Sequence, residues 1–181
     1  LAEGYWSYIQ ANLAIEHGVM EAAKALFART HSIAEANGIA ENLFIAQVGQ
    51  SRMNCTLGNA PAARSWAGEA LAGAEQSGYQ HFQALAHIER ARAAWLLEDL
   101  PAAEADLRAA IALLQPQKLE FDLARAELLL TALLYQQHLP DAQLLWEETA
   151  TRIVQNGFGF LVEQERKLTY PLINDGLKSS D

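Results

Sequence analysis

Apolar and small residues recur at intervals of three and four along nearly the whole chain, the spacing that lines one face of an α-helix. Between Val19 and Ala36 the stripe is Ala22, Ala23, Leu26, Phe27, Thr30 and Ile33. The pattern predicts nine helices, at about 3–17, 19–36, 40–57, 60–76, 80–98, 101–114, 120–138, 140–155 and 160–177. Their ends carry the expected punctuation. Asn37-Gly38, Ser77-Gly78 and Asn156-Gly157 stop three of them, because glycine accepts the left-handed conformation that closes a helix. Pro116 is read as the stop in the third unit, and Pro61, Pro101 and Pro140 lie in first turns, where a missing N–H costs nothing. β-Branched residues are few, so a sheet is not expected.

The helices pair into four hairpins that repeat at about 40 residues, a period typical of helical arrays. A small residue early in each second helix anchors the register: Ala23, Ala63, Ala103 and Ala142. A turn precedes each anchor (Gly18, Gly58, Glu98-Asp99, Gln137-His138). Phe27, Ala67, Leu107 or Trp146 follows it by four residues, and Thr30, Ala70, Ala110 or Thr149 by seven. The units are about 3–38, 39–78, 79–118 and 119–157, with a more polar helix at 158–177 as a wettable cap. This makes 1–181 one repeat domain. The chain opens on Leu1 directly before a helical pattern, so it is read as a piece of a longer polypeptide.

Composition narrows the partners. A net charge of −9 argues against direct nucleic-acid binding, which needs Lys and Arg to neutralise phosphates. No apolar run is long enough to span a bilayer and no basic, apolar leader opens the chain, so a cytoplasmic location is expected. The single cysteine, Cys55, excludes an internal disulfide. His17, His31, His81, His87 and His138 are scattered without a metal-binding spacing, and no phosphate-cradling glycine motif occurs. Neither a metal nor another cofactor is expected, nor an enzymatic activity.

Gly18-Val19-Met20-Glu21-Ala22-Ala23 and Gly58-Asn59-Ala60-Pro61-Ala62-Ala63 resemble the opening of the second helix of a tetratricopeptide repeat. The small residue deep in the first helix also matches at Ala11, Ser51 and Ala91, with Leu130 departing. The family's first-helix Trp is absent: Ser7, Gln47, His87 and Ala126 stand there. The longer spacing is similar to the superhelical repeats of MalT-like LuxR regulators and SARP-type activators of bacteria. The resemblance implies an all-α, right-handed α-α superhelix of about four hairpins plus the C-terminal cap. It also implies a role beside nucleotide-binding and DNA-binding modules.

In tetratricopeptide arrays the first helices line the concave face. That geometry would place Tyr5, Tyr8, Asn12 and Glu16 on a groove, then Arg52 (with Cys55 and Thr56), then Glu89, Arg92 and Trp95, then Glu127, Thr131 and Tyr135. Rigid aromatics with arginines suit recognition of a protein or peptide partner, or of a small effector. The same residues admit a plainer account, in which aromatics fill gaps between hairpins and Arg92 pairs with Glu89 or Glu16. Two roles follow: a signal-sensing segment of a transcriptional regulator, or a stand-alone scaffold without a signalling role. An end repeat with exposed apolar surface adds self-association as a further expectation.

Overall fold

A computed structural model describes the backbone of residues 2–178 and the side chains of residue 4 and residues 6–174. Among the described residues the chain is all helical: α1 (Ala2–Glu16), α2 (Met20–Asn37), α3 (Ala40–Thr56), α4 (Ala60–Ser77), α5 (Gln80–Leu96), α6 (Leu100–Leu114), α7 (Glu120–Gln136), α8 (Asp141–Gln155), α9 (Phe160–Gln164) and α10 (Arg166–Lys178). The packing divides the chain into two compact units, Leu1–Asp106 and Leu107–Asp181, with the division inside α6. In the first unit each helix packs on the next, and α3 also lies beside α1 and α5. In the second, α7 packs on α8 and α10.

One device makes nearly all the turns. Gly18, Gly38, Gly58, Gly78, Glu98, Lys118, His138 and Gly157 all have positive φ, so a left-handed residue recurs about every twenty residues. In seven of these turns the next residue sends its N–H back to the carbonyl five positions earlier, as Ile39 does to Ala34 at 3.0 Å and Leu139 to Leu134 at 3.0 Å. That bond satisfies a carbonyl orphaned at the helix end. The same residue then starts the following helix: Ile39 O accepts from Leu43 N at 3.1 Å, and Val19 O from Ala23 N at 3.1 Å. One residue therefore serves both helices, and almost no linker is left between them. Pro116 is not the stop of the third unit. It sits in a 3-10 turn, Gln115–Gln117, and the reversal comes at Lys118.

Burial follows the alternation. The second helices α2 and α8 bury a single stripe: Ala23, Phe27, Thr30 and Ala34 in one, Ala142, Thr149 and Ile153 in the other. The first helices α3, α5 and α7 are enclosed on several sides, with Leu123 through Leu134 of α7 all buried. The four anchor alanines are buried, as are Phe27, Ala67 and Leu107 four positions on. Helices approach closely where a glycine faces an aromatic knob. A Cβ on Gly49 of α3 would stand 2.1 Å from the Phe27 ring of α2, and one on Gly73 of α4 2.7 Å from Phe44 of α3.

The last helix differs from its predicted form: it breaks at Glu165 into α9 and α10. Pro171 lies inside α10, where it has no N–H to give Lys167 and its ring crowds the preceding turn. The break falls just before that turn, and Glu165 there is drawn inward, its Oε1 3.4 Å from Arg125 Nε of α7.

Gly49→Ala should destabilise the protein by about 1–3 kcal/mol in urea unfolding, because the Phe27 ring has nowhere to retreat. Gly68→Ala, with nothing within 4 Å of its added Cβ, should instead stabilise by up to about 1 kcal/mol.

Candidate interaction surface

Tyr8, Asn12 and Glu16 stand one turn apart on α1, and Arg52 lies one repeat after Asn12 on the neighbouring α3. The structure joins three of them. Arg52 Nη1 donates to Asn12 Oδ1 at 3.3 Å, and Arg52 Nη2 donates to Glu16 Oε1 at 2.8 Å. Asn12 Nδ2 in turn donates to the Tyr8 carbonyl at 2.9 Å, and the Tyr8 ring leans on Phe27 with centroids 6.2 Å apart. The Arg52–Glu16 pair is half-buried rather than sealed, so it contributes little to stability and can be exchanged for another carboxylate at small cost. Thr56 Oγ1 donates to the Arg52 carbonyl at 3.0 Å, and Cys55 beside it is half-buried. The Tyr5 side chain lies outside the described residues.

On α5 the expected groove residues turn inward. Glu89 is 3 % exposed and Arg92 8 %, with Glu89 Oε2 3.4 Å from Arg92 Nε, while Trp95 is buried in the packing. Arg92 therefore pairs with Glu89 on its own helix, and Glu16 is taken by Arg52.

On α7 the expected residues face the hairpin partner instead. Arg152 of α8 donates from Nε to Glu127 Oε2 at 2.8 Å and from Nη2 to Glu127 Oε1 at 3.3 Å, and it also pairs with Glu120. Burial pushes the Glu127 carboxyl above its ordinary value, and the Arg152 bonds offset only part of that rise. Thr131 is fully buried, donating to the Glu127 carbonyl at 2.8 Å and lying 3.5 Å from Thr149 Oγ1. Tyr135 is half-buried.

The cause is a register difference of one residue. Ala142 follows Ala103 by one residue less than the earlier anchors are spaced, yet the left-handed residues at Glu98 and His138 keep the full spacing. The shortening lies after α7, in the turn, where Ala142 N reaches Leu139 O at 3.2 Å, one position nearer than Ala23 N reaches to Val19 O. α7 thus stays in phase with α1, α3 and α5. Thr131, rather than Leu130, matches Ala11, Ser51 and Ala91, and Glu127 matches Ser7, Gln47 and His87. A one-residue shift turns a helical side chain by about 100°, which carries both residues from the surface to the partner helix.

That equivalence exposes a cluster missed from the sequence. His87 Nδ1 lies 2.8 Å from Asp106 Oδ1, and Arg90 donates to both Asp106 oxygens, from Nε at 2.8 Å and Nη2 at 2.6 Å. Burial pushes the Asp106 carboxyl up, but the His87 and Arg90 bonds and the Arg90 charge outweigh it and hold it below its ordinary value. The signal was present: Asp106 is a carboxylate where the earlier units carry Leu26 and Trp66. In the second compact unit, Arg125 makes a comparable inward contact, stacking over Phe121 at 4.8 Å and donating from Nη2 to Gln164 Oε1 at 3.3 Å.

Beside Arg152 an open depression is lined by Glu120, Leu144, Glu148 and Gln155, among others. Among the described residues no group of His, Cys, Asp and Glu is placed to hold a metal ion, and no helix is long and apolar enough to cross a membrane. No protein-family model matches the chain, and none of the curated proteins matches it either.

Asp106→Asn should cost about 1.5–3 kcal/mol at pH 7, since Arg90 and His87 lose a charged acceptor. The Asp106 contribution is complete above about pH 4, the unfolded value, and drains away as pH falls from there through the lower folded value. Urea unfolding from pH 7 to pH 3 should show the difference between the two proteins narrowing on acidification.

Proposed function

We propose that this chain is the interaction segment of a bacterial transcriptional regulator, a right-handed superhelix of tetratricopeptide-like hairpins working in the cytoplasm. It holds a protein or peptide partner, or a small effector, on the face formed by its first helices. The observation that carries the reading is the half-exposed polar ladder across α1 and α3, in which Arg52 bridges Asn12 and Glu16 beside Tyr8. A guanidinium held by a carboxylate that remains partly in water is poised to accept a ligand carboxylate in its place. The inward turn of Glu89, Arg92, Glu127 and Thr131 confines the binding chemistry to the α1–α3 end. Binding there regulates by favouring one packing of the repeats over another, which requires different affinity for the two. The acidic balance assigns DNA contact to another module rather than to this segment.

A photo-crosslinking amino acid at Tyr8 should capture a defined partner from the source cells, and one at Glu69, exposed on α4, should not. Arg52→Glu should cut that capture about tenfold, or about 1.4 kcal/mol, with helicity unchanged by circular dichroism. Capture indifferent to Arg52→Glu would place the site elsewhere. Reading the coding region on both sides separates the two roles. A nucleotide-binding or helix-turn-helix module supports the regulator, and neither leaves the scaffold.

A further inference from the structure

The repeat register shows what surface each first helix offers to the hairpin before it. On α3 that surface is Ala46, Gly49 and Met53, all covered: the Phe27 ring of α2 lies over Gly49, and Met53 packs in one cluster with Phe27 and Ala23. On α5 it is Ala86, Glu89 and Ala93, again buried, with Ala86 packed among Ala70 and Leu71 of α4. The equivalent positions on α1, one repeat earlier, are Trp6, Ile9 and Leu13. Here the surface is open, with Trp6 62 % exposed, Leu13 53 % exposed and Ile9 half-buried. An uncharged, exposed stripe of this kind along a helix is unusual for solvent and ordinary for an interface.

We propose that the Trp6–Ile9–Leu13 face of α1 is a docking surface for an alanine-rich second-type helix belonging to an adjoining helical hairpin. The interfaces that cover α3 and α5 identify the class of occupant, because the same register positions are covered there by α2 and α4. Side-chain size narrows it further. Where α3 presents small residues, α2 supplies the large Phe27; where α1 presents Trp, Ile and Leu, close packing requires small residues opposite. The α4 sequence, with Ala63, Ala67, Ala70, Gly73 and Ala74, is that kind of helix. A second copy meeting α1 to α1 fits less well. It would set large residues against large ones, and one helix face falls short of the roughly 800 Å² per partner that a stable free dimer buries.

The test supplies the helix in register. Residues 60–80, comprising α4 and the turn after it, are fused ahead of Leu1, which preserves the repeat spacing of the whole chain. The added helix should raise Tm by about 3 °C or more and slow amide exchange in α1 by about tenfold. Leu13→Asp should abolish both gains in the fusion, while the same change in the unfused chain shifts Tm by about 1 °C at most, since an exposed side chain has little to lose. An added helix that gives no protection, or a gain that survives Leu13→Asp, overturns the proposal. So does sedimentation of the unfused chain as a dimer that Leu13→Asp dissolves, which would make a second copy the occupant.

Discussion

The left-handed residue that closes each helix is the constraint on which the rest of the structure depends. It returns the chain through a single shared residue, so each helix must start close to where its predecessor stops, and α1 to α5 each pack on the next, as α7 does on α8. The residues opening α2, α3, α4, α5 and α7 make no side-chain cap bond, so the backbone bonds across the turn, which satisfy carbonyls at the end of the preceding helix, are what tie these helix junctions together. Glycine is the economical residue there, yet Glu98, Lys118 and His138 take the same conformation. The surrounding helices hold these three in place against a local cost of about 1 kcal/mol or more each.

Tight connection has a second effect, on polar groups. α3, α5 and α7 are surrounded by neighbours, so a polar residue buried on them gains by finding a partner within the packing. The position that carries Ser7, Gln47, His87 and Glu127 shows the outcome: in the third and fourth hairpins it reaches across to Asp106 and Arg152. These bonds fix each hairpin internally. The Arg52 ladder differs by linking first helices of successive hairpins at a surface that water still reaches, and this difference is what singles it out.

Much of the helical layout was legible from local signals. Alternating stripes, Asn-Gly and Ser-Gly stops and first-turn prolines placed most helix ends within two residues, and the anchor alanines are buried as their spacing implies. What escaped were features decided by context. A left-handed Lys118 has no signature in a residue that ordinarily avoids that conformation, whereas Pro116 nearby looks like a stop. The candidate surface was half legible. Asn12, Glu16 and Arg52, expected on one groove by the repeat resemblance, are hydrogen-bonded to one another, whereas Glu127 and Thr131 turn to the hairpin partner, because the turn before Ala142 is one residue shorter than the others. Arg152 and Asp106 were missed because an ion pair inside a hairpin joins residues 25 or 16 apart, at distances no local pattern encodes.

The short turn before α8 also indicates how a chain of this design can change in length. One residue is missing there, and the loss is absorbed where the backbone is already bending, by a tighter bond between Ala142 and Leu139. The same loss inside a helix would rotate every following side chain by about 100° and present a polar face to the neighbour beneath it. With linkers of only two to five residues there is little slack in which to unwind the error. Variation is thereby channelled into the reversals themselves or into whole hairpins gained and lost, so the molecule is built to grow in steps rather than by increments.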